Sequence, residues 1–281
     1  MRGWQTIRLG FACEKIGSGA TPRGGSEVYQ ATGISLIRSQ NIYNDGFKRD
    51  GLAFIGDKHA RELENINVQG DSVARVCQVP DKILPARVNQ HVAIIRPRQG
   101  TLDARFLHYF LIHPQTQAHM LSLAGAGATR NALTKGMIES FEIKAPSFSE
   151  QRAIAAVLGS LDDKIELNRR MNETLEALAQ SLFKSWFVDT TQSAIPKGWR
   201  ETTIGELCEF AYMAYMSKDV LPPADVQEAF DKQVRPLFER VHHNDEESRT
   251  LAALRDALLP KLLSGELRVV AGMDSVDIMD A

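Results

Sequence analysis

Cysteine is scarce in this chain: Cys13, Cys77 and Cys208 are odd in number and lack Cys-x-x-Cys spacing. Such usage argues against a disulfide frame or a zinc knuckle and predicts free, mostly buried thiols. No apolar run approaches the ~18 residues that a membrane span needs. The first residues reach Arg8 and Glu14 without a signal-like apolar stretch. A soluble, cytoplasmic chain with no membrane partner is therefore expected. A Gly-x-x-x-x-Gly-Lys-Ser/Thr loop is also missing, which argues against P-loop hydrolysis, and Gly17-Ser18-Gly19 is too short for a phosphate cradle and reads as a turn. Neither an Asn-Pro-Pro-Tyr-like run nor a glycine-rich strand-to-helix turn for a methyl donor occurs, which argues against methyl transfer by this chain alone.

What is present begins with an uneven charge. The chain has 281 residues, 43% of them apolar, enough to bury a core, and a net charge of −2. Residues 1–148 hold 18 Lys/Arg against 12 Asp/Glu, and residues 149–281 hold 15 against 23, so the first part is +6 and the rest −8. A basic globular part joined to acidic helices suits nucleic acid on one side and a protein partner on the other, though ordinary surface variation gives similar sums.

Residues 1–148 mix short β-like runs, Gly33–Arg38, His91–Arg96 and Phe141–Ile143, with Gly, Pro and Asn punctuation, which predicts a loop-rich α+β domain. Asp103–His113 reads as a helix with Phe106, Leu107, Phe110 and Leu111 on a core face, stopped by Pro114. Ser147-Phe148-Ser149-Glu150 is a capping box at the head of a long periodic run. Ile154, Leu161, Asn168, Leu175 and Leu182 stand seven apart, with Val157, Met171 and Leu178 assigned to the alternate seam positions. A helix from there to Trp186-Phe187 would span about 58 Å. Pro222-Pro223 announces a second helix in which Phe230, Leu237, Asn244, Leu251 and Leu258 are again seven apart, Leu254 alternates, and Pro236 and Pro260 are expected to interrupt or bend the rod. Matching seam asparagines, Asn168 and Asn244, would fix register, and the two helices are predicted to pack antiparallel.

Two internal repeats accompany this layout. Gly3-Trp4-Gln5-Thr6-Ile7 through Cys13-Glu14 returns 195 positions later as Gly198-Trp199-Arg200 through Cys208-Glu209. At an offset of 76, Leu161, Asn168, Thr174, Leu175, Ala177, Leu178 and Leu182 fall on Leu237, Asn244, Thr250, Leu251, Ala253, Leu254 and Leu258.

Catalytic constellations are weak. Glu142-Ile143-Lys144 has the Glu-x-Lys spacing of two-metal nucleases, but strand alternation explains it as solvent-facing. His108, His113 and His119 do not share a helix face for a metal, and His242-His243 reads as a solvated pair. What remains is a set of polar residues in predicted loops suited to base edges and phosphates: Thr21, Arg23, Arg38, Ser39, Gln40, Asn41, Arg87, Asn89, Gln90, Arg130, Asn131 and Lys135. On a basic domain they point as a group to double-stranded DNA.

The runs Glu150-Gln151-Arg152-Ala153-Ile154, Leu161-Asp162-Asp163-Lys164-Ile165-Glu166-Leu167-Asn168 and Ser185-Trp186-Phe187-Val188-Asp189 resemble the central conserved region of type I restriction-modification specificity subunits. Leu251 to Leu267 resembles their distal conserved region, and Gly17 to Pro22, Gly33 to Arg38 and the Pro146-to-Gln151 exit resemble their first target-recognition domain. The resemblance implies an α+β recognition domain over 1–148, a central helix over 149–189, the remnant start of a second recognition domain with a linker over 190–221, a distal helix over 222–267 and a tail over 268–281. It further implies two long antiparallel coiled-coil helices and a non-catalytic DNA-reading subunit. In such a complex methylation subunits dock on the faces of 150–188 and 224–264, and a restriction subunit joins through them. S-adenosylmethionine, Mg and ATP would belong to those partner subunits. Thr21, Arg38, Gln40 and Asn41 are the first DNA-contact candidates by that layout.

The sequence departs from the family pattern after Cys208-Glu209-Phe210-Ala211-Tyr212, where a second recognition domain should begin and Pro222 follows almost at once. Dimerisation that restores two identical readers, service as a one-reader subunit, and a decayed cassette are the three outcomes. Two-fold pairing would imply a near-palindromic bipartite target. A coiled-coil adaptor with a non-specific basic head is the rival from another class.

Overall fold

A computed structural model describes residues 3–63, 75–125, 133–192, 194–202, 219–271 and 276–280. The chain divides into two compact units, residues 1–160 with 256–281, and residues 161–255.

The first unit is assembled from short strands and helices, because Gly, Pro and Asn cut its apolar runs every few residues. In chain order it contains β1 (Gln5–Arg8), α1 (Leu9–Ala12), β2 (Cys13–Ser18), β3 (Tyr29–Gln30), β4 (Ile34–Ile37), β5 (Ile42–Tyr43), β6 (Gly46–Phe47), β7 (Ala53–Ile55), α2 (Asp57–Glu62), β8 (Ala86–Val88) and β9 (Ala93–Pro97). There follow α3 (Ala104–Ile112), α4 (Pro114–Gly125), α5 (Lys135–Ser140), β10 (Glu142–Ala145) and the first turns of α6 (Phe148–Phe183). β1 pairs with β10 and β2 with β9, both antiparallel, while a four-stranded sheet runs in the order β3-β7-β4-β8 with β4 and β8 parallel. Gly17 and Ser18 lie inside β2 rather than in the expected turn. Gly19 follows because the backbone of Val88 passes so near that a Cβ there would fall onto its carbonyl. Alternation in β10 leaves Glu142 and Lys144 exposed and Ile143 buried, and Glu142 is held by Arg8 at 3.2 Å.

Helix starts follow side-chain chemistry. Asp103 Oδ1 accepts the amides of Arg105 and Phe106, both at 2.9 Å, and caps α3. Ser147 Oγ accepts the Glu150 amide at 3.3 Å at the head of α6. Beside it the fully buried Gln151 accepts the Asp103 amide at 2.9 Å and donates to the Pro146 carbonyl at 3.0 Å, tying the helix to the sheet domain.

The main core combines Leu9, Phe106, Leu107, Leu111 and Ile143 with Ile154 and Leu158 of α6 and, from the far end of the sequence, Leu259, Leu262 and Leu263. Trp4 packs edge-on against Phe106 at 6.4 Å between ring centroids. Leu262 and Leu263 belong to the last turns of a second long helix, and β13 (Leu267–Ala271), paired antiparallel with β14 (Val276–Asp280), follows it. Cys13 is buried and Cys77 half-buried, and burial pushes both thiols up to about 11, so neither is a thiolate at neutral pH. Cys208 lies outside the described residues.

The second unit is a helix pair. α6 continues to Phe183, turns once as a π-helix over Lys184–Val188 and ends in α7 (Asp189–Thr191). β11 (Arg200–Thr202) pairs with β12 (Asp219–Leu221), and α8 (Ala224–Ser264) runs back. Contacts fix the antiparallel sense: Asp162 meets Arg255 at 2.7 Å, Lys164 meets Glu247 at 3.0 Å, Asn172 meets Asp245 at 2.8 Å, and Phe187 meets Phe230 with ring centroids 4.7 Å apart. Asn168 and Asn244 are both fully buried. Asn168 Nδ2 donates to Glu247 Oε2 at 2.8 Å and Ser248 Oγ at 3.2 Å, and Asn244 Nδ2 donates to Asn172 Oδ1 at 2.7 Å. Ser248 is Asn172 shifted by the repeat offset of 76, so each asparagine addresses the counterpart position of the other helix.

Two expectations need correction here. Pro236 and Pro260 do not interrupt α8, which runs unbroken from Ala224 to Ser264 with both prolines at exposed positions. The alternate seam also takes in positions four residues after Ile154, Leu161, Asn168 and Leu175, beside Val157 and Met171, which are half-buried as assigned. Leu158, Asn172 and Ala179 are buried or half-buried, as is Ile165, whereas Leu178 is 47% exposed. The same shift applies to α8, where Val234 and Leu262 are buried and Leu254 is 47% exposed. The seven-residue positions Leu161, Leu175, Leu182, Leu237, Leu251 and Leu258 are half-buried.

Candidate nucleic-acid interface

Three chain segments that carry the polar candidates are joined by main-chain bonds. The Gly19 amide donates to Val92 O at 3.3 Å, the Ala20 amide to Val88 O at 3.1 Å, and the Asn89 amide to Ile37 O at 3.0 Å. This stitching brings the residues after β2, after β4 and between β8 and β9 to one side of the domain. Thr21 Oγ1 then donates to Gln90 Oε1, and Gln90 Nε2 meets His91 Nε2 at 3.0 Å. Thr21 and Arg23 are exposed and Gln90 is half-buried.

The residues after β4 have inward tasks. Arg38 sends Nη2 to Gly51 O and rests over the Tyr29 ring, 5.4 Å from its centroid, while Gln40 Nε2 donates to the same carbonyl at 3.1 Å. Ser39 opens the short turn Ser39–Asn41 and is half-buried. Asn41 is fully buried: its Oδ1 accepts the Arg38 amide at 3.0 Å, and its Nδ2 donates to Lys48 O at 3.0 Å and Asp50 O at 3.2 Å. These bonds commit the Asn41 side chain to shaping the loop over residues 42–51. Asn41→Ala is therefore expected to cost about 1–3 kcal/mol, because it strands buried main-chain groups. A denaturant titration showing less than about 0.5 kcal/mol would contradict that.

Arg87 lies in β8 rather than in a loop, where Nε donates to Ala60 O at 2.9 Å. Asn89 is buried and its Oδ1 accepts the His91 amide at 3.1 Å. Lys135 opens α5, likewise not a loop, and pairs with Glu139 at 3.5 Å. Arg130 and Asn131 lie outside the described residues. Among the described residues no three His, Cys, Asp or Glu side chains are grouped to hold a metal ion, and no helix is long and apolar enough to cross a membrane.

Sequence reasoning passed over Tyr29, Tyr43, Lys48, Arg75 and His91. Tyr43 is exposed on the β5–β6 hairpin, with Arg75 at 5.0 Å and Lys48 at 5.9 Å from its ring centroid. A signal existed in Ile42-Tyr43-Asn44-Asp45-Gly46-Phe47-Lys48-Arg49, where turn residues stand between aromatic and basic neighbours.

Comparison with known proteins converges on one family. The family described as "Type I restriction modification DNA specificity domain" matches residues 1–177. The chain is 33% identical over 136 residues to the "Type I restriction enzyme MjaIX specificity subunit" of Methanocaldococcus jannaschii, covering 44% of this chain and 31% of that protein. It is 36% identical over 103 residues to the "Type I restriction enzyme HindI specificity subunit" of Haemophilus influenzae, covering 36% of this chain and 22% of that protein. The matched stretches thus span a third or less of either relative. A solved type I restriction-modification S subunit from M. genitalium shares the fold, with a TM-score of 0.60 at 14% identity, covering 93% of this chain and 96% of that one. With the family match extending over more than half of the residues, from the sheet domain into the first long helix, the chain belongs to the type I restriction-modification DNA specificity family.

Proposed function

We propose that this chain is the non-catalytic, sequence-reading subunit of a type I restriction-modification complex. Its recognition domain reads one half of a bipartite site in double-stranded DNA, and methylation subunits dock on the outer faces of α6 and α8, with a restriction subunit joining through them. The observation that carries this reading is the joined cluster of polar loops on a basic domain, in a chain that also carries an antiparallel helix pair. Thr21, Arg23 and Gln90, which stand at its surface, are suited to base edges and phosphates. Methyl-donor, Mg and ATP chemistry would reside in the partner subunits.

In this reading two copies of the chain supply two identical readers. The helix seam favours that arrangement, because its repeat makes α6 and α8 interchangeable at Asn168 and Asn244, and helices so related exchange between chains with little change of contact.

The test is coexpression with the methylation subunit in a methylation-free host, followed by mapping of modified adenines. The expected result is a two-part, near-palindromic motif. Soluble, associated proteins with no motif would sink sequence-specific reading and leave an assembly protein or a decayed cassette.

A further inference from the structure

The β5–β6 hairpin is held from one side and exposed on the other. Its Ile42 and Phe47 pack against the small core of Ile37, Ile83, Val88 and Val92. Asn41 receives the Lys48 amide on its own carbonyl at 2.9 Å and returns its side-chain amide to Lys48 O and Asp50 O. Arg38 and Gln40 converge on Gly51 O at the base of the same loop. Asn44 Oδ1 accepts the Val76 amide at 2.9 Å and so lays the Arg75–Val76 backbone along the hairpin.

This bracing fixes what the outer face offers. Tyr43, Lys48, Arg49 and Arg75 are all exposed there. Lys48 and Arg75 lie against the Tyr43 ring, and Asp45 partners Lys48 at 2.9 Å. A ring beneath cations limits their rotamers, and both cations stay exposed although Asp45 takes one donor of Lys48. Lysine, arginine and tyrosine hydroxyls are the donors that phosphate oxygens accept. A structural role alone would not call for three cations around one short hairpin whose own packing is completed by Ile42 and Phe47.

Resting on the proposed DNA-reading role, we propose that the β5–β6 hairpin and Arg75 form a contact element for the phosphate backbone of duplex DNA. Tyr43, Lys48 and Arg75 meet the DNA, and Arg38, Gln40 and Asn41 position the hairpin from behind. Three of the four residues that sequence logic selects first, Arg38, Gln40 and Asn41, thus act one step back from the ligand.

The experiment uses the full chain in complex with its methylation subunit and a duplex carrying the wild-type methylation motif. Lys48→Ala with Arg75→Ala is expected to weaken binding at least tenfold. It should also lower the slope of log affinity against log salt by about two, since each lost phosphate contact removes about 0.9. Tyr43→Ala should weaken binding in the same direction, while Lys197→Ala, which alters a cation elsewhere, should leave it unchanged. Melting temperatures near wild type would confirm that the hairpin variants are folded. Wild-type affinity and salt slope in folded hairpin variants would overturn the assignment while leaving the DNA-reading role intact. A wild-type complex that methylates no motif would overturn both.

Discussion

Leu262→Ala is expected to destabilise the first unit by about 2–5 kcal/mol, the range for truncating a fully buried leucine. Leu262 is 0% exposed and sits among Leu158, Ile154 and the apolar residues of β10 and α3, though it belongs to the last turns of α8. The matched control is Leu254→Ala, eight residues earlier on the same helix and 47% exposed, which is expected to change stability by less than about 0.5 kcal/mol. Denaturant unfolding of both variants makes the comparison. Equal losses would mean that burial does not rank these two leucines, and the placement of the α8 C-terminal turns in the core would fail with it.

Asn168→Ala is expected to cost about 1–3 kcal/mol, because it removes a buried amide that donates to Asn244 O, Glu247 and Ser248 across the helix pair. The Asn168 amide and the Lys164 ammonium also hold the Glu247 carboxyl below the usual carboxylate range. A carboxyl lowered in this way contributes at neutral pH, and its contribution is lost as pH falls through the lowered value. Asn168→Leu combined with Asn244→Leu should recover most of the lost stability, since two apolar partners replace two buried amides. It should also remove the register signal and yield mixed species in light scattering. A double variant that stays one well-defined species would show that the asparagines do not set the pairing.

Much of this architecture is legible in the residues. The seven-residue spacing of Ile154 to Leu182 and of Phe230 to Leu258 marks the seam of both helices, and Asp103 and Ser147 mark helix starts where the caps stand. On the alternate seam Val157 and Met171 are half-buried, but Leu178 is apolar and exposed, and Asn172 and Ala179 take covered positions four residues on. Only the partner helix decides which of two neighbouring stripes is covered. Pro236 and Pro260 mislead for a related reason, since a proline's effect depends on whether the carbonyl it abandons faces water or protein.

The candidate interface was harder to read. Thr21, Arg38, Gln40, Asn41 and Gln90 lie on segments joined by main-chain bonds, which no local pattern in the sequence announces. That Asn41 turns inward is invisible, because its partners are the main-chain carbonyls of Lys48 and Asp50, which have no side-chain signature. The contribution of Leu259, Leu262 and Leu263 to a core that starts at Leu9 is equally silent, since no local pattern announces so distant a neighbour.

That distance sets a clock. A ribosome adding about 5–20 residues per second needs roughly 13 to 50 s to pass from Leu9 to Leu262. Until then the core around Phe106 and Leu158 lacks three of its leucines, and closing it joins contacts of very large sequence separation, the slow class in folding. The first unit is therefore begun before the helix pair that lies between its two halves in the sequence and completed only after it.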